Sequence, residues 1–172
     1  MSAHESRYLT AAVQATPVFL DTDATVTKAC ALIADSATAG ARLIVFPEAF
    51  VAGYPYWLWG DRPGTVDGLE QAGFAALWQA AIDVPGLETE RLADAARQAG
   101  ACVAIGVNER ESGYGRATLY NTLLTFGPDG ELFGRHRKLV PTYKERTVWG
   151  AGDGSTLAVH GTPFGRIGGL IC

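Results

Sequence analysis

Three side chains of very different chemistry recur at one kind of place in this sequence. Glu48 follows an apolar run at residues 42–46, Lys138 follows a run at 131–137, and Cys172 follows a run at 166–171. In open α/β sheets, sites assemble at the carboxyl ends of strands, so a carboxylate, an ammonium and a thiol in these positions make a usable set. A thiol attacks an electrophilic carbon only as thiolate, and it therefore needs a neighbouring base to take its proton and a cation to favour the anion. Glu48 and Lys138 fit those two needs. The cation has a second use, because attack on a carbon–nitrogen multiple bond or a carbonyl piles negative charge on the heteroatom, which a fixed ammonium stabilises. The expectation is that the three groups converge within hydrogen-bond or single-water reach.

The elements that must carry them are legible as runs and punctuation. Residues 8–15 are apolar and partly β-branched and end before Pro17, as a buried strand should. Asp21 and Asp23 offer N-caps to a helix with Val26, Ala29, Cys30, Ile33 and Ala37 at helical spacing, closed by Gly40. The run 42–46 is continuously apolar after Arg42, the pattern of a sheet covered on both faces, and it stops at Pro47-Glu48. The result is a right-handed β-α-β unit with parallel strands. An aromatic stretch, Tyr54-Pro55-Tyr56-Trp57-Leu58-Trp59, precedes helices expected at about 66–82 and 87–99, the second closed by Gly100. Strands at 101–110, 118–126 and 131–137 follow as a meander, separated by Ser112-Gly113-Tyr114-Gly115 and Gly127-Pro128-Asp129-Gly130. Two more strands, 156–160 and 166–171, flank Gly161-Thr162-Pro163-Phe164-Gly165. The reading is one α/β domain over residues 1–172 with a mixed sheet, without repeats or low-complexity tracts.

Composition excludes several partners. The 172 residues are 48% hydrophobic and 19% charged, enough for one sizeable core. A net charge of -4, with 14 basic and 18 acidic residues interspersed, provides no basic stripe for a phosphate backbone, so no nucleic acid is expected. Apolar runs fall well short of the roughly 18 residues of a membrane span and residues 1–7 lack an apolar signal core, which predicts a cytoplasmic protein without membrane contact. Cys30, Cys102 and Cys172 form no CxxC pair, which argues against both a disulfide framework and a zinc site.

Three segments, in order, resemble motifs of the nitrilase superfamily of carbon-nitrogen hydrolases: Phe46-Pro47-Glu48-Ala49-Phe50, then Arg137-Lys138-Leu139-Val140-Pro141-Thr142, then Gly168-Gly169-Leu170-Ile171-Cys172. The run from Tyr143 to Ser155 looks more like true nitrilases and cyanide hydratases than like the amidase branches. The resemblance implies an α-β-β-α sandwich, of which this chain supplies roughly the first half. It implies hydrolysis of an organic nitrile to carboxylic acid and ammonia, with Cys172 as nucleophile, Lys138 stabilising the tetrahedral intermediate and Glu48 as general base. Glu145 matches a second glutamate that orients substrate and lysine. No metal or organic cofactor is implied; homo-oligomers that extend into spiral filaments are. Family members continue well beyond the nucleophile, so the expectation is a piece of an enzyme, its carboxy-terminal part missing and the isolated chain inactive.

Plainer readings compete with each assignment. Glu48 taken alone reads equally well as a loop carboxylate, and Lys138, within Arg135-His136-Arg137-Lys138, as part of a solvated basic run. Cys30 and Cys102 read as small core residues. The Gly150–Gly154 loop lacks the Gly-Lys-Ser/Thr ending of a phosphate cradle and reads as turn structure. A Cys-His pairing of Cys172 with His136 or His160 is formally open. The aromatic stretch is either a packed loop or the lining of a pocket for an apolar nitrile, with Tyr54 and Trp57 as candidate contacts. Two rival functions remain: release of ammonia from an amide, or a stop at the amide as in cyanide hydratases; and, from another class, a non-catalytic assembly module.

Overall fold

The computed structural model describes residues 7–60, 69–111, 113 and 117–172. In chain order the elements are β1 (Leu9–Ala12), α1 (Thr22–Thr38), β2 (Ala41–Val45), a 3-10 turn (Tyr56–Trp59), α2 (Leu69–Ala80) and α3 (Leu87–Ala99). They continue with β3 (Cys102–Arg110), β4 (Leu119–Phe126), β5 (Leu132–Arg137), a second 3-10 turn (Tyr143–Thr147), β6 (Val159–Thr162) and β7 (Gly165–Gly168). Five strands form one mixed sheet in the order β1-β2-β3-β4-β5, parallel from β1 to β3 and antiparallel from β3 to β5. Among the described residues no helix is long and apolar enough to cross a membrane.

The sheet is held from one side. Asp21 caps α1 by accepting the Ala24 N–H at 3.0 Å, and the helix lays Val26, Ala29 and Ile33 against the sheet. Leu92 and Ala96 of α3 complete that layer over Ile44, Val103, Ile105, Val107, Leu124 and Phe126. Each such large aliphatic or aromatic side chain, fully buried, contributes about 1.5–3 kcal/mol. Alternation along the strands sends Ala104, Gly106, Asn108, Asn121 and Leu123 to the opposite face. There the β6–β7 hairpin lies close: a Cβ on Gly169 would sit 2.5 Å from Leu123, and one on Gly134 would sit 3.7 Å from His160.

Several sequence expectations are corrected. The strand expected at 8–15 spans only Leu9–Ala12, at the sheet edge, with a register irregularity after Leu9, which is 54% exposed. In β2 Ile44 is buried but Val45 is 36% exposed, because the helices cover one face and the other stays open there. The last two strands form a tighter hairpin than expected. Gly161 and Gly165 belong to its ladder rather than to a five-residue turn, and the Thr162 hydroxyl bridges the bend by donating to Gly165 O and accepting from Phe164 N–H. Strand pairing thus ends at Gly168, three residues before Ile171, where the sequence placed it. Helix α2 stops at Ala80 because Ile82 turns away to pair with β3, donating its N–H to Asn108 O at 3.0 Å. Residues 66–68 of the expected helix, and Ser112, Tyr114 and Gly115 of the expected turn, lie outside the described residues.

What matters for the site is how the chain after β2 runs along β3. Phe46 N–H donates to Ala104 O, Val51 N–H to Gly106 O and Asn108 N–H to Val51 O. The buried Asn108 amide donates to Val51 O at 3.0 Å and Gly53 O at 2.9 Å and accepts the Trp149 indole N–H at 2.9 Å, so every polar atom of that side chain is used. Between these ties the Glu48 turn rests on Gly106, where a Cβ would stand 2.5 Å from Pro47 O and Ala49 N and 2.7 Å from Glu48 Cα. Backbone cannot retreat as the end of a side chain can. Gly106→Ala is therefore expected to lower stability by roughly 1–3 kcal/mol and to displace the Glu48 turn. Denaturant unfolding checks the first effect; an unchanged midpoint would show that the contact is soft.

Candidate active site

Lys138 begins where β5 ends. Its N–H donates to Asn121 O at 2.8 Å, and its carbonyl accepts the Gly152 N–H at 2.9 Å. A Cβ on Gly152 would approach Arg137 O to 2.5 Å, so the loop read as plain turn structure is a close-fitting clamp on the end of β5. Lys138 is 3% exposed, and its ammonium donates to Glu48 Oε1 at 2.9 Å and to Glu145 Oε2 at 2.8 Å. Burial works against the charge, but the hydrogen bonds and charges of Glu145 and Glu48 outweigh it and hold the ammonium above its ordinary value. The solvated basic run is excluded as a description of this stretch. Arg135 and Arg137 both pair with the buried Glu109 on one face of β5, while His136 and Lys138 are buried on the other.

Glu145 is saturated. Oε2 takes the Lys138 ammonium and the Thr142 N–H at 2.6 Å, and Oε1 takes the Tyr54 hydroxyl at 2.7 Å. The Thr142–Glu145 pair is a capping box on the 3-10 turn, which is why the carboxylate points back over its own N-terminus. Burial raises the Glu145 carboxyl, but Lys138, Tyr54 and Thr142 reverse this and leave it below the ordinary range. Burial, with the accepting Glu145, pushes the Tyr54 hydroxyl up to about 12. With three donors spread over both oxygens, Glu145 has little acceptor capacity left for a further proton.

Glu48 is built differently. Lys138 and the Asn121 amide, at 2.6 Å, both donate to Oε1, and no donor among the described residues binds Oε2. Its side chain keeps 38% of its surface exposed. A carboxylate anchored by one oxygen and open at the other is suited to proton transfer. Strain gathers here too: Ala49, which follows Glu48, has φ 49°, and Tyr143, which opens the 3-10 turn, has φ 47°. Cys172 is exposed and its Sγ lies 3.8 Å from Thr142 Oγ1; among the described residues no hydrogen bond links it to Glu48 or Lys138, so the expected convergence is seen for the carboxylate and the ammonium. Neither imidazole hydrogen-bonds that sulfur: the His160 ring packs on Phe133 with centroids 4.8 Å apart, and burial pushes His136 towards its neutral form.

The structure brings Glu48, Lys138, Glu145 and Tyr54 into one hydrogen-bonded cluster and sets Cys172 beside Thr142. It does not bring Trp57 there. That ring meets Phe19 edge-on and packs against Gly73 of α2. Trp59 instead donates its indole N–H to the Tyr54 hydroxyl at 3.2 Å and lies tilted against Tyr143 with centroids 6.3 Å apart, so the aromatic wall beside the cluster is Tyr54, Trp59 and Tyr143. Sequence reasoning also missed Asn121. The available signal was a carboxamide inside a strand, which must find a partner once buried. Among the described residues no group of three or more His, Cys, Asp or Glu side chains could hold a metal ion.

Comparison with known proteins places these residues in context. Residues 9–172 match the family described as carbon-nitrogen hydrolase. The chain is 42% identical over 167 residues to a nitrilase of Bacillus sp. (strain OxB-1), covering 96% of this chain and 46% of that protein. It is 48% identical over 161 residues to a bifunctional nitrilase/nitrile hydratase of Lupinus angustifolius, with 93% and 45% covered. It is 48% identical over 172 residues to an aliphatic nitrilase of Sinorhizobium fredii, with 97% and 53% covered. The chain thus spans about half the length of the curated relatives it matches. An amidase from Nesterenkonia sp. superposes with a TM-score of 0.64 at 18% identity, over 95% of this chain and 54% of that one, a likeness of fold.

The cluster should make stability depend on pH in a defined direction. Glu145 folds with a lowered value, so its contribution is complete above its ordinary 4.5 and is lost as pH falls through the lowered one. Lys138 folds with a raised value, so its contribution is complete below 10.5 and is lost as pH rises through the raised one. Glu145→Gln should lower the melting temperature at neutral pH, by the equivalent of roughly 1–3 kcal/mol for a buried charge-assisted bond, and narrow its gap from the parent below about pH 4. Melting curves that stay parallel through acid pH would contradict this.

Proposed function

Because this chain belongs to the carbon-nitrogen hydrolase family, we propose that the full-length protein hydrolyses an organic nitrile to a carboxylic acid and ammonia through covalent intermediates on Cys172. The observation that carries this reading is the division of labour around Lys138: one carboxylate saturated and one left open at a single oxygen, both bound to the same buried ammonium.

That geometry supports the following steps. Glu48 takes the thiol proton as sulfur attacks the nitrile carbon; a carbon–sulfur bond forms, one carbon–nitrogen π bond breaks, and the nitrogen gains a proton to give a thioimidate. Water, losing a proton to Glu48, adds to that carbon. Lys138 stabilises the negative charge that develops, with Glu145 keeping its ammonium in place. Departure of ammonia leaves a thioester, and a second water releases the acid and restores the thiol. The balance is one nitrile and two waters to one acid and one ammonia. Tyr54, Trp59 and Tyr143 supply an aromatic wall for the substrate's apolar part.

A second outcome shares the first steps. If carbon–sulfur cleavage precedes loss of ammonia, the tetrahedral adduct gives an amide. The relative from Lupinus angustifolius, named a bifunctional nitrilase/nitrile hydratase, favours keeping this branch in view. Product analysis separates the two, since acid and ammonia appear in equal amounts only along the first.

In the full-length protein Cys172→Ala, Lys138→Ala and Glu48→Gln should each reduce ammonia release from a nitrile by at least about a hundredfold. Any pair combined should be little worse than its slower member, because the groups act in one covalent cycle. An active Cys172→Ala protein would overturn the mechanism.

A further inference from the structure

We propose that Asn121 is a positioning residue for Glu48, holding the carboxylate so that a single oxygen is presented to the thiol and to water. The inference rests on the reading of Glu48 as general base. The Asn121 side chain is fully buried in the middle of β4, directly across the ladder from Asn108. Its amide Nδ2 donates to Glu48 Oε1 at 2.6 Å, and its main-chain carbonyl accepts the Lys138 N–H at 2.8 Å. One residue thus fixes the base through its side chain and the strand end that carries the cation through its backbone.

The other half of the amide is informative. Asn121 Oδ1 is buried with no hydrogen-bond partner among the described residues. Turning the amide over would set that oxygen against a carboxylate oxygen, so the orientation is decided by Glu48. Were Asn121 present only to fill the core, leucine of similar size would do so without burying an unpaired oxygen. Asn108 across the ladder, by contrast, has all its polar atoms paired and ties loops together. The unpaired oxygen is tolerable where the donor on the same group does something for the site.

The charged and titratable groups around Glu48 come from each neighbouring element. They are Lys138 at the end of β5, Glu145 beyond it on the 3-10 turn, and Tyr54 from the segment after β2. Asn121 is neutral and supplies one of the two described donors to Oε1, so withdrawing it leaves the carboxylate held by Lys138 alone among the described residues.

The test uses the full-length protein and two readouts. In nitrile turnover Asn121→Leu should lower kcat about tenfold to a hundredfold with little change in KM, and shift the acid limb of the profile upward by about one pH unit. In the Glu48→Gln background the same change should cost less than about twofold, because its target is already gone. The second readout is the rate at which iodoacetamide alkylates Cys172, followed by peptide mass, which needs no substrate. Its acid limb should shift in the same direction. A protein inactive on nitriles but showing that shift would refute the proposed substrate and keep Asn121 in its role. An unmoved limb in both readouts, or an equal further loss in the Glu48→Gln background, would overturn the inference and leave Asn121 a structural residue. Asn121→Ala withdraws the same donor without added bulk and gives the same reading if the leucine variant fails to fold.

Discussion

One ammonium buried between two carboxylates is the constraint around which this structure is arranged. A lysine charge removed from water is expensive unless fully paired, and removing one partner of a buried pair typically costs about 3–5 kcal/mol. Lys138 meets that demand with Glu48 from the turn after β2 and Glu145 from the 3-10 turn after β5. The Tyr54 hydroxyl also bonds Glu145 directly, and the cation ties both segments to the end of β5. The two carboxylates receive unequal shares of the remaining donors. In the proposed mechanism that inequality, rather than the type of residue, separates the orienting glutamate from the one that accepts a proton.

The ammonium can sit there only if β5 keeps its register, and the other face of the same strand supplies that control. Arg135 and Arg137 point to the helix side and bind Glu109, which is fully buried and also accepts the Thr122 hydroxyl at 2.8 Å. The Arg137 guanidinium lies 3.7 Å over the Tyr120 ring. β5 is an edge strand of the main sheet, and a slip of one residue would exchange the faces of every side chain on it. Such a slip would put Arg137 where Lys138 belongs and leave Glu109 unpaired and buried. The opposed charge clusters therefore fix one another through a single strand.

Much of this was readable in the sequence, and what was not has identifiable causes. Helix α3 and the meander were legible because their ends are marked by Gly100 and by the Gly127-Pro128-Asp129-Gly130 turn, strong local signals. The covering of β2 was misread because an apolar run shows that a strand is packed without showing on how many faces. Trp57 was chosen over Trp59 because an aromatic stretch carries no direction. In the 3-10 turn that forms, residues three apart share a side, which sends Trp57 towards Phe19 and Trp59 towards Tyr54. Gly106 and Asn121 could not be given their places from the sequence because each matters through a residue distant along the chain. The carboxylate and cation themselves were found because both follow directly on strands whose ends are clear.

The hydrogen bond between Lys138 and Glu48 joins residues 90 positions apart, and the one between Asn121 and Glu48 joins residues 73 apart. Closing such loops is entropically unfavourable until the strands between them have paired. The acid–base machinery is thus a property of the completed sheet and has no counterpart in a chain that has formed only the β-α-β unit. During synthesis, these carboxylates and this lysine stay apart as separate solvated groups until the meander docks, so the buried cluster and the folded sheet are acquired in the same event.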